Sequence, residues 1–372
     1  MIRVLVTGAK GFIGQNLVVA LLRRSDVEVL TFEIGDPGER LTGALGDADV
    51  VFHLAGVNRP PAVEEFGAVN AGLTRHVVDT LHAGARRPTI VLTSSTQALL
   101  DNPYGKSKLQ AEGVLKEYVD RDGGGARIFR LPNVFGKWSR PNYNSVVSTF
   151  CHNIAHGLPI TISDPAREIQ LVYIDDVVRS FVGLLDSGQD HTFAFGEVRP
   201  VFTVTLQTIA DTILRFKDIR MTLVSPDFSD PFARRLYPTF LSYLEPTEFA
   251  YPLNQRTDDR GTLAELLKSH QFGQIFVSRT KPGITRGNHF HDSKIEKFCV
   301  LEGEAVVRFR HIVTSEMSAY QVKGTDFKVV DIPPGYTHSI ENTGSTELIT
   351  LFWADEIFNP EMPDTYPAKV NQ

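Results

Sequence analysis

Hydrophobic periodicity changes character once along these 372 residues, and the change excludes a single fold class. Up to about residue 240, short apolar runs alternate with stretches whose apolar positions recur every three to four residues. "IRVLVTG" (2–8) reads as a buried strand and "GQNLVVALLRRS" (14–25) as an amphipathic helix. "EVLTFE", "DVVFHLAG" and "TIVLTSS" repeat the strand signal, each followed by polar or helical sequence. That rhythm predicts an α/β, doubly wound parallel sheet covered by helices. From about residue 260 the pattern becomes a two-residue alternation in short runs, "GQIFVSRT", "EKFCVLEGEAVVRFRHI", "FKVVDIP" and "LITLFWADE". Such runs, with close turn signals and no long helix, predict an all-β sandwich or jelly roll. The chain is also too long for one ordinary core, so two domains are expected, residues 1–245 and 246–372. The proline- and aspartate-rich stretch 224–261 lacks sustained periodicity and reads as a connection with a few docked aromatics.

The first chemistry-bearing motif is "TGAKGFIG", which places Gly8, Gly11 and Gly14, with Phe12 and Ile13 between, where the first strand turns into the first helix. A glycine motif alone is weak. With a strand before it and a helix after it, it reads as a Rossmann-type dinucleotide site, the pyrophosphate approaching backbone amides at the helix N-terminus. "HLAG" (53–56) extends the expected cofactor contacts to Leu54, Ala55 and Gly56. Glu33 closes the second strand, where a carboxylate accepts from ribose hydroxyls and favours NAD; Arg40 follows late for an NADP phosphate.

"PYGKSK" sets Tyr104 four residues before Lys108, on one face of the clearest helix in the chain. A neighbouring ammonium and a positively charged cofactor ring are expected to lower the phenol pKa, fitting tyrosine to move a proton at a carbonyl while hydride moves. "LTSSTQ" ends a strand in hydroxyls, of which Ser95 is the candidate to hold the substrate oxygen, with Ser94 and Thr96 as neighbours.

Taken together, these motifs resemble the extended short-chain dehydrogenase/reductase family, most of whose members act on nucleotide-linked sugars. The resemblance continues through "RLPNVFGKW" and "REIQLVYIDDV" and implies that Asn133 contacts substrate and Arg167 its diphosphate. A surface arginine is the plainer reading of Arg167.

The β-rich part carries a different chemistry. "RGNHFHDSKIE" sets His289 and His291 two apart, so that on a strand they share a face, and Glu296 can return to that face on the next strand. "IPPGYTHSIEN" adds His338. Any one of these histidines would more often be a hydrogen-bonded structural residue. Three imidazoles and a carboxylate converging in a barrel make a divalent metal site, suited by chemistry to zinc or iron alike. Residues 255–355 resemble the cupins, with one departure: Phe327 stands where their second motif has glycine. Lys297 alternates away from the site. Tyr336 is a candidate acid or base, and Arg308, Arg310 and His311 are candidates for a nucleotide diphosphate, with a solvated face the plainer reading.

Bulk properties bound the partners. Net charge is −6, which predicts no general affinity for nucleic acid or membranes. Two cysteines, far apart, read as thiols of a reducing compartment. The N-terminus has no signal-peptide pattern, and no apolar run approaches the roughly 20 residues of a membrane span. A cytoplasmic protein is expected.

Over nearly its full length, including "GAKGFIGQNL", "DNPYGKSKLQAE", "KPGITRGNHFHDSKIEKF" and "VVDIPPGYTHSIEN", the chain resembles the CapF-type capsular-polysaccharide assembling family, an extended reductase fused to a cupin. The resemblance implies a zinc-containing homodimer with two activities. The cupin would epimerise carbon 3 of a UDP-2-acetamido-2,6-dideoxy-4-hexulose, and the reductase would reduce carbon 4 with NADPH on the route to UDP-N-acetyl-L-fucosamine. Glu33 taken alone favours NADH. The alternatives are a single-activity reductase whose cupin is a dimerisation or binding module and, last, a metal oxygenase.

Overall fold

The computed structural model describes residues 1–59, 61–186, 188 and 191–371. Contacts divide the chain into two compact units, Met1–Leu214 with Arg235–Leu244, and Arg215–Arg234 with Glu245–Gln372.

In the first unit the elements run β1 (Ile2–Thr7), α1 (Phe12–Leu21), β2 (Val27–Phe32), α2 (Gly38–Asp47), β3 (Val50–His53), α3 (Gly72–Ala83), β4 (Thr89–Ser95), α4 (Pro103–Asp122) and β5 (Gly125–Leu131). They continue through β6 (Asn133–Phe135), α5 (Val146–Ala155), β7 (Glu168–Tyr173), α6 (Ile174–Gly183), β8 (Phe193–Gly196) and β9 (Phe202–Thr205). The main sheet has the order β2-β1-β3-β4-β5-β8, with every pairing parallel. Alternate strand residues supply its two faces. Val4 and Val6 pack with Leu17 and Leu21 of α1 and Phe181 of α6. Leu5 packs with Leu41, Val77 and Leu115 of α2, α3 and α4. Strand order reverses between β1 and β3, and the crevice at their C-terminal ends is where such sheets bind ligands. A small second sheet, β6-β7-β9, stands beside it.

The stretch expected to be an aperiodic connection contains a helix. After α7 (Leu206–Thr222), α8 spans Pro231–Leu241. Asp230 starts it by accepting from the Phe232 N–H at 2.8 Å, and Phe232, Ala233, Leu236 and Phe240 are buried at helical spacing. The dense prolines disguise this periodicity; Pro238 is accommodated inside the helix.

The C-terminal strands are β10 (Gln255–Asp258), β11 (Gly261–Ser269), β12 (Gly273–Thr280), β13 (Thr285–Phe290), β14 (Glu296–Glu302), β15 (Glu304–His311), β16 (Met317–Lys323), β17 (Val329–Ile332), β18 (Tyr336–Asn342), β19 (Leu348–Ala354) and β20 (Tyr366–Pro367). They form two antiparallel sheets, β10-β11-β12-β19-β14-β17 and β16-β15-β18-β13-β20. Phe298, Phe352 and Ile332 of one sheet share a core with Val307, Phe309 and Ile340 of the other. No helix among the described residues is long and apolar enough to cross a membrane.

Candidate active site and metal centre

The turn after β1 depends on its glycines. Gly8 has φ of 70°, and a Cβ there would lie 2.8 Å from the Ala55 nitrogen. A Cβ on Gly14 would come within 2.1 Å of the Gly8 carbonyl oxygen, so helix and turn can approach only without one. Above the turn lies a cavity of about 690 Å³, bordered by Gly8, Gly11, Phe12, Ile13, Gly14, Leu54 and Gly56. Ala55 meets the turn through its backbone and is not among the lining residues. Glu33 lies outside this cavity and borders a separate hollow of about 470 Å³ with Lys10 and Trp138. One of its carboxylate oxygens already accepts from the Lys10 N–H at 2.5 Å, which ties β2 to the glycine turn.

Tyr104, Lys108, Ser95 and Asn133 line the same cavity. Asn102 caps α4 by accepting from the Gly105 N–H at 2.8 Å, and Pro103 opens its first turn, so Tyr104 stands at the helix start with Lys108 one turn on. The Lys108 ammonium lies 5.9 Å from the centre of the Tyr104 ring and donates to the Thr93 carbonyl at 3.1 Å. Burial pushes its pKa down to about 8, with Glu112 opposing. The phenol does not show the expected depression. Burial pushes it above its ordinary value, against a hydrogen bond from Ser95, so the protein on its own holds Tyr104 protonated. The Ser95 oxygen also accepts from the Gln97 N–H at 3.1 Å.

Several supporting residues escaped sequence reading. Buried Glu112 accepts from Ser94 at 2.5 Å and from Arg130 at 2.6 and 2.9 Å, locking the end of β4 to α4. Its position, four residues after Lys108 on the same helix face, was the available signal. Asn70 accepts from the Val57 N–H at 2.9 Å and donates to Ser107 at 3.0 Å, joining the loop after β3 to α4. His53, between Thr7 and Thr74, is held neutral by burial, its pKa lowered to about 3. The lining also includes Lys10 and Arg140, with Lys108 a third cation, and no carboxylate. In a protein of net charge −6 this marks the cavity for anions. Arg167 is exposed in the turn before β7 and is not among the lining residues; its backbone bonds to Asp164.

In the second unit, His289, His291, Glu296 and His338 come together, their ligand atoms all within 4.8 Å of one another. β13 and the residue after it, β14 and β18 supply them. A bulge between Gly287 and His289, where Asn288 has φ of 60°, sets His289 opposite His338. The Nε2 atoms of His291 and His338 lie 3.4 and 3.5 Å from a Glu296 oxygen. Both nitrogens are buried without a hydrogen-bond partner. Burial opposes ionisation of Glu296, but the two imidazoles outweigh it and hold the carboxylate well below its usual range. Burial and neighbouring imidazoles lower His289 to about 4. One imidazole held neutral, an ionised carboxylate and two orphaned ring nitrogens fit a divalent cation. The other candidates in this unit are engaged elsewhere. Lys297 pairs with Asp331, Arg308 with Glu341, and Arg310 donates to the Lys369 and Val370 carbonyls. His311 accepts from the Val313 and Thr314 N–H groups, with Tyr336 packed on its ring.

The chain is similar to known proteins over nearly its whole length. Residues 4–196 match the NAD dependent epimerase/dehydratase family, and residues 256–366 match the polysaccharide biosynthesis C-terminal domain. The UDP-2-acetamido-2,6-beta-L-arabino-hexul-4-ose reductase of Pseudomonas aeruginosa is 41% identical over 370 residues, covering 100% of this chain and 99% of its own. The crystal structure of the capsular polysaccharide assembling protein CapF from Staphylococcus aureus superposes with a TM-score of 0.91 at 44% identity, covering 99% of this chain and 100% of that one. A structure of CapF with the inhibitor 3-isopropenyl-tropolone gives 0.87 at 39% identity, with 99% and 100% covered. The chain therefore belongs to the NAD dependent epimerase/dehydratase family and, within it, to the CapF type.

Proposed function

We propose that the chain is a bifunctional nucleotide-sugar enzyme. Its C-terminal part (246–372), read as a jelly-roll cupin, epimerises carbon 3 of a UDP-2-acetamido-2,6-dideoxy-4-hexulose. Its N-terminal part (1–245) then reduces the 4-keto group to UDP-N-acetyl-6-deoxy-L-talosamine, a precursor of UDP-N-acetyl-L-fucosamine for capsule or O-antigen. NADPH, with NADH as the alternative, supplies the hydride. The enzyme acts in the cytoplasm as a homodimer.

At the reductase site the glycine turn, with Gly8, Gly11 and Gly14, would hold the cofactor diphosphate. Tyr104, protonated at neutral pH, donates its proton to the carbonyl oxygen at carbon 4. Ser95 holds that oxygen, its own oxygen being fixed by the Gln97 N–H that it accepts. Lys108 keeps a positive charge beside the developing phenolate. Arg140 rather than Arg167 meets the substrate diphosphate, because it lines the cavity and Arg167 does not.

At the second site His289, His291, Glu296 and His338 would hold zinc or another divalent metal. Such an ion would polarise the ketone and acidify the neighbouring carbon. The residues' own work is to present three ring nitrogens and one carboxylate oxygen from fixed positions. The observation that carries the bifunctional reading is this quartet, half-buried to buried and ligand-like, on a chain whose other unit has groups suited to hydride transfer. The test is incubation of the 4-keto sugar nucleotide with enzyme in D2O without NADPH. Deuterium should appear at carbon 3. Unimpaired reduction with no exchange would leave a single-activity reductase.

A further inference from the structure

The C-terminal segment 363–370 touches the strands that carry His289 and His338, His291 itself, and the turn that leads to Glu296. Asp364 is its centre, with φ of 36°, a left-handed conformation uncommon for a residue with a side chain. Its carboxylate accepts from the N–H groups of Asp292, Ser293 and Lys294 at 2.9, 2.9 and 2.8 Å and from the Ser293 hydroxyl at 2.9 Å. Those three residues begin the turn between His291 and Glu296. The Asp364 carbonyl oxygen lies 2.5 Å from His291 Nδ1. A carbonyl can only accept, so Nδ1 carries a proton, which leaves Nε2, the atom facing Glu296, as the nitrogen available to a metal. Lys294, 6% exposed, returns the contact by donating to the Pro363 carbonyl at 2.8 Å and the Thr365 hydroxyl at 3.0 Å.

The rest of the segment binds the other two ligands' strands. Tyr366 and Pro367 pair with Phe290 and His289. The Ala368 N–H donates to the Asn288 carbonyl at 2.9 Å, and the Val370 N–H to the Asn288 side chain at 3.2 Å, which holds the bulge that aims His289. Thr337, next to His338, donates to the Ala368 carbonyl at 2.6 Å.

We propose that Asp364 is a positioning residue for the metal site: the strap 363–370 fixes the His291 tautomer and holds the ligand-bearing segments in register. This rests on the reading of the quartet as a metal centre. Partners that orient ligating histidines typically contribute roughly 10–100-fold to metal affinity.

The experiment is Zn²⁺ binding to the metal-stripped full chain in competition with a chromogenic chelator, with melting recorded with and without Zn²⁺. Asp364→Ala should bind Zn²⁺ about 10–100-fold more weakly, and its Zn²⁺-induced rise in Tm should shrink. A brace without a role toward the metal would lower both melting temperatures equally and leave affinity unchanged; that result overturns the proposal. Asp364→Asn, which keeps shape and one carbonyl acceptor, should lose affinity by less than Asp364→Ala, and it decides the question if the alanine variant does not fold, wild-type affinity then being the contrary result. His338→Ala separates the two readings. If the wild type binds no more Zn²⁺ than His338→Ala, the quartet reading itself fails.

Discussion

The two units build their sites by opposite means. In the first, a cavity is left open at the strand ends, and the reacting groups come from short stretches: one glycine turn, one strand end and two positions a helical turn apart. In the second, four ligands converge from β13, the residue after it, β14 and β18, and buried polar atoms are satisfied by a strap that arrives more than 70 residues after His291. The lesson is one of separability. The two constellations share no residue: the cavity is bordered by residues of the first unit and the quartet lies in the second.

The sharpest way to break that separation is Tyr104→Phe. It removes the proton donor, so reduction should fall by roughly 10²–10⁴-fold, while deuterium exchange at carbon 3 continues at the wild-type rate. Parallel loss of both activities would mean that the sites are not independent. His338→Ala is the converse: exchange should drop to background, and reduction of substrate already epimerised should persist.

Smaller effects sharpen the picture of the first site. Glu112→Gln leaves Arg130 facing a neutral partner in a buried place and should cost about 3 kcal/mol of stability, read by urea unfolding. The same change should move the alkaline limb of reduction to lower pH. Lys108 is cationic below a pKa of about 8, and Glu112 raises that value. Reduction by the wild type should therefore decline as pH rises through about 8, and by Glu112→Gln at a lower pH. An unshifted limb would remove Lys108 as its origin.

Legibility followed sequence distance. Tyr104 and Lys108 could be found because a helix repeats every 3.6 residues, and the parallel sheet because its strands alternate with helices. The four residues of the quartet were legible as candidates, but the bulge at Asn288 that sets His289 opposite His338 was not, since it depends on pairing with β18. α8 was missed because prolines interrupt the window in which its buried residues recur. Glu33 was identified but not its bond to Lys10, and Arg167, read either as a diphosphate contact or as a surface charge, is exposed and does not line the cavity. In both cases a local motif says which residue is present, and tertiary packing decides what its side chain faces. Asp364 carries no local signal at all; its partners are a turn about 70 residues earlier.

The most direct measurement is the position and rate of deuterium incorporation in D2O, with no reductant present, for wild type, Tyr104→Phe and His338→Ala side by side. The account predicts deuterium at carbon 3 with wild type and with Tyr104→Phe at equal rates, and none with His338→Ala. Exchange that survives in His338→Ala, or vanishes in Tyr104→Phe, would contradict two independent sites on one chain.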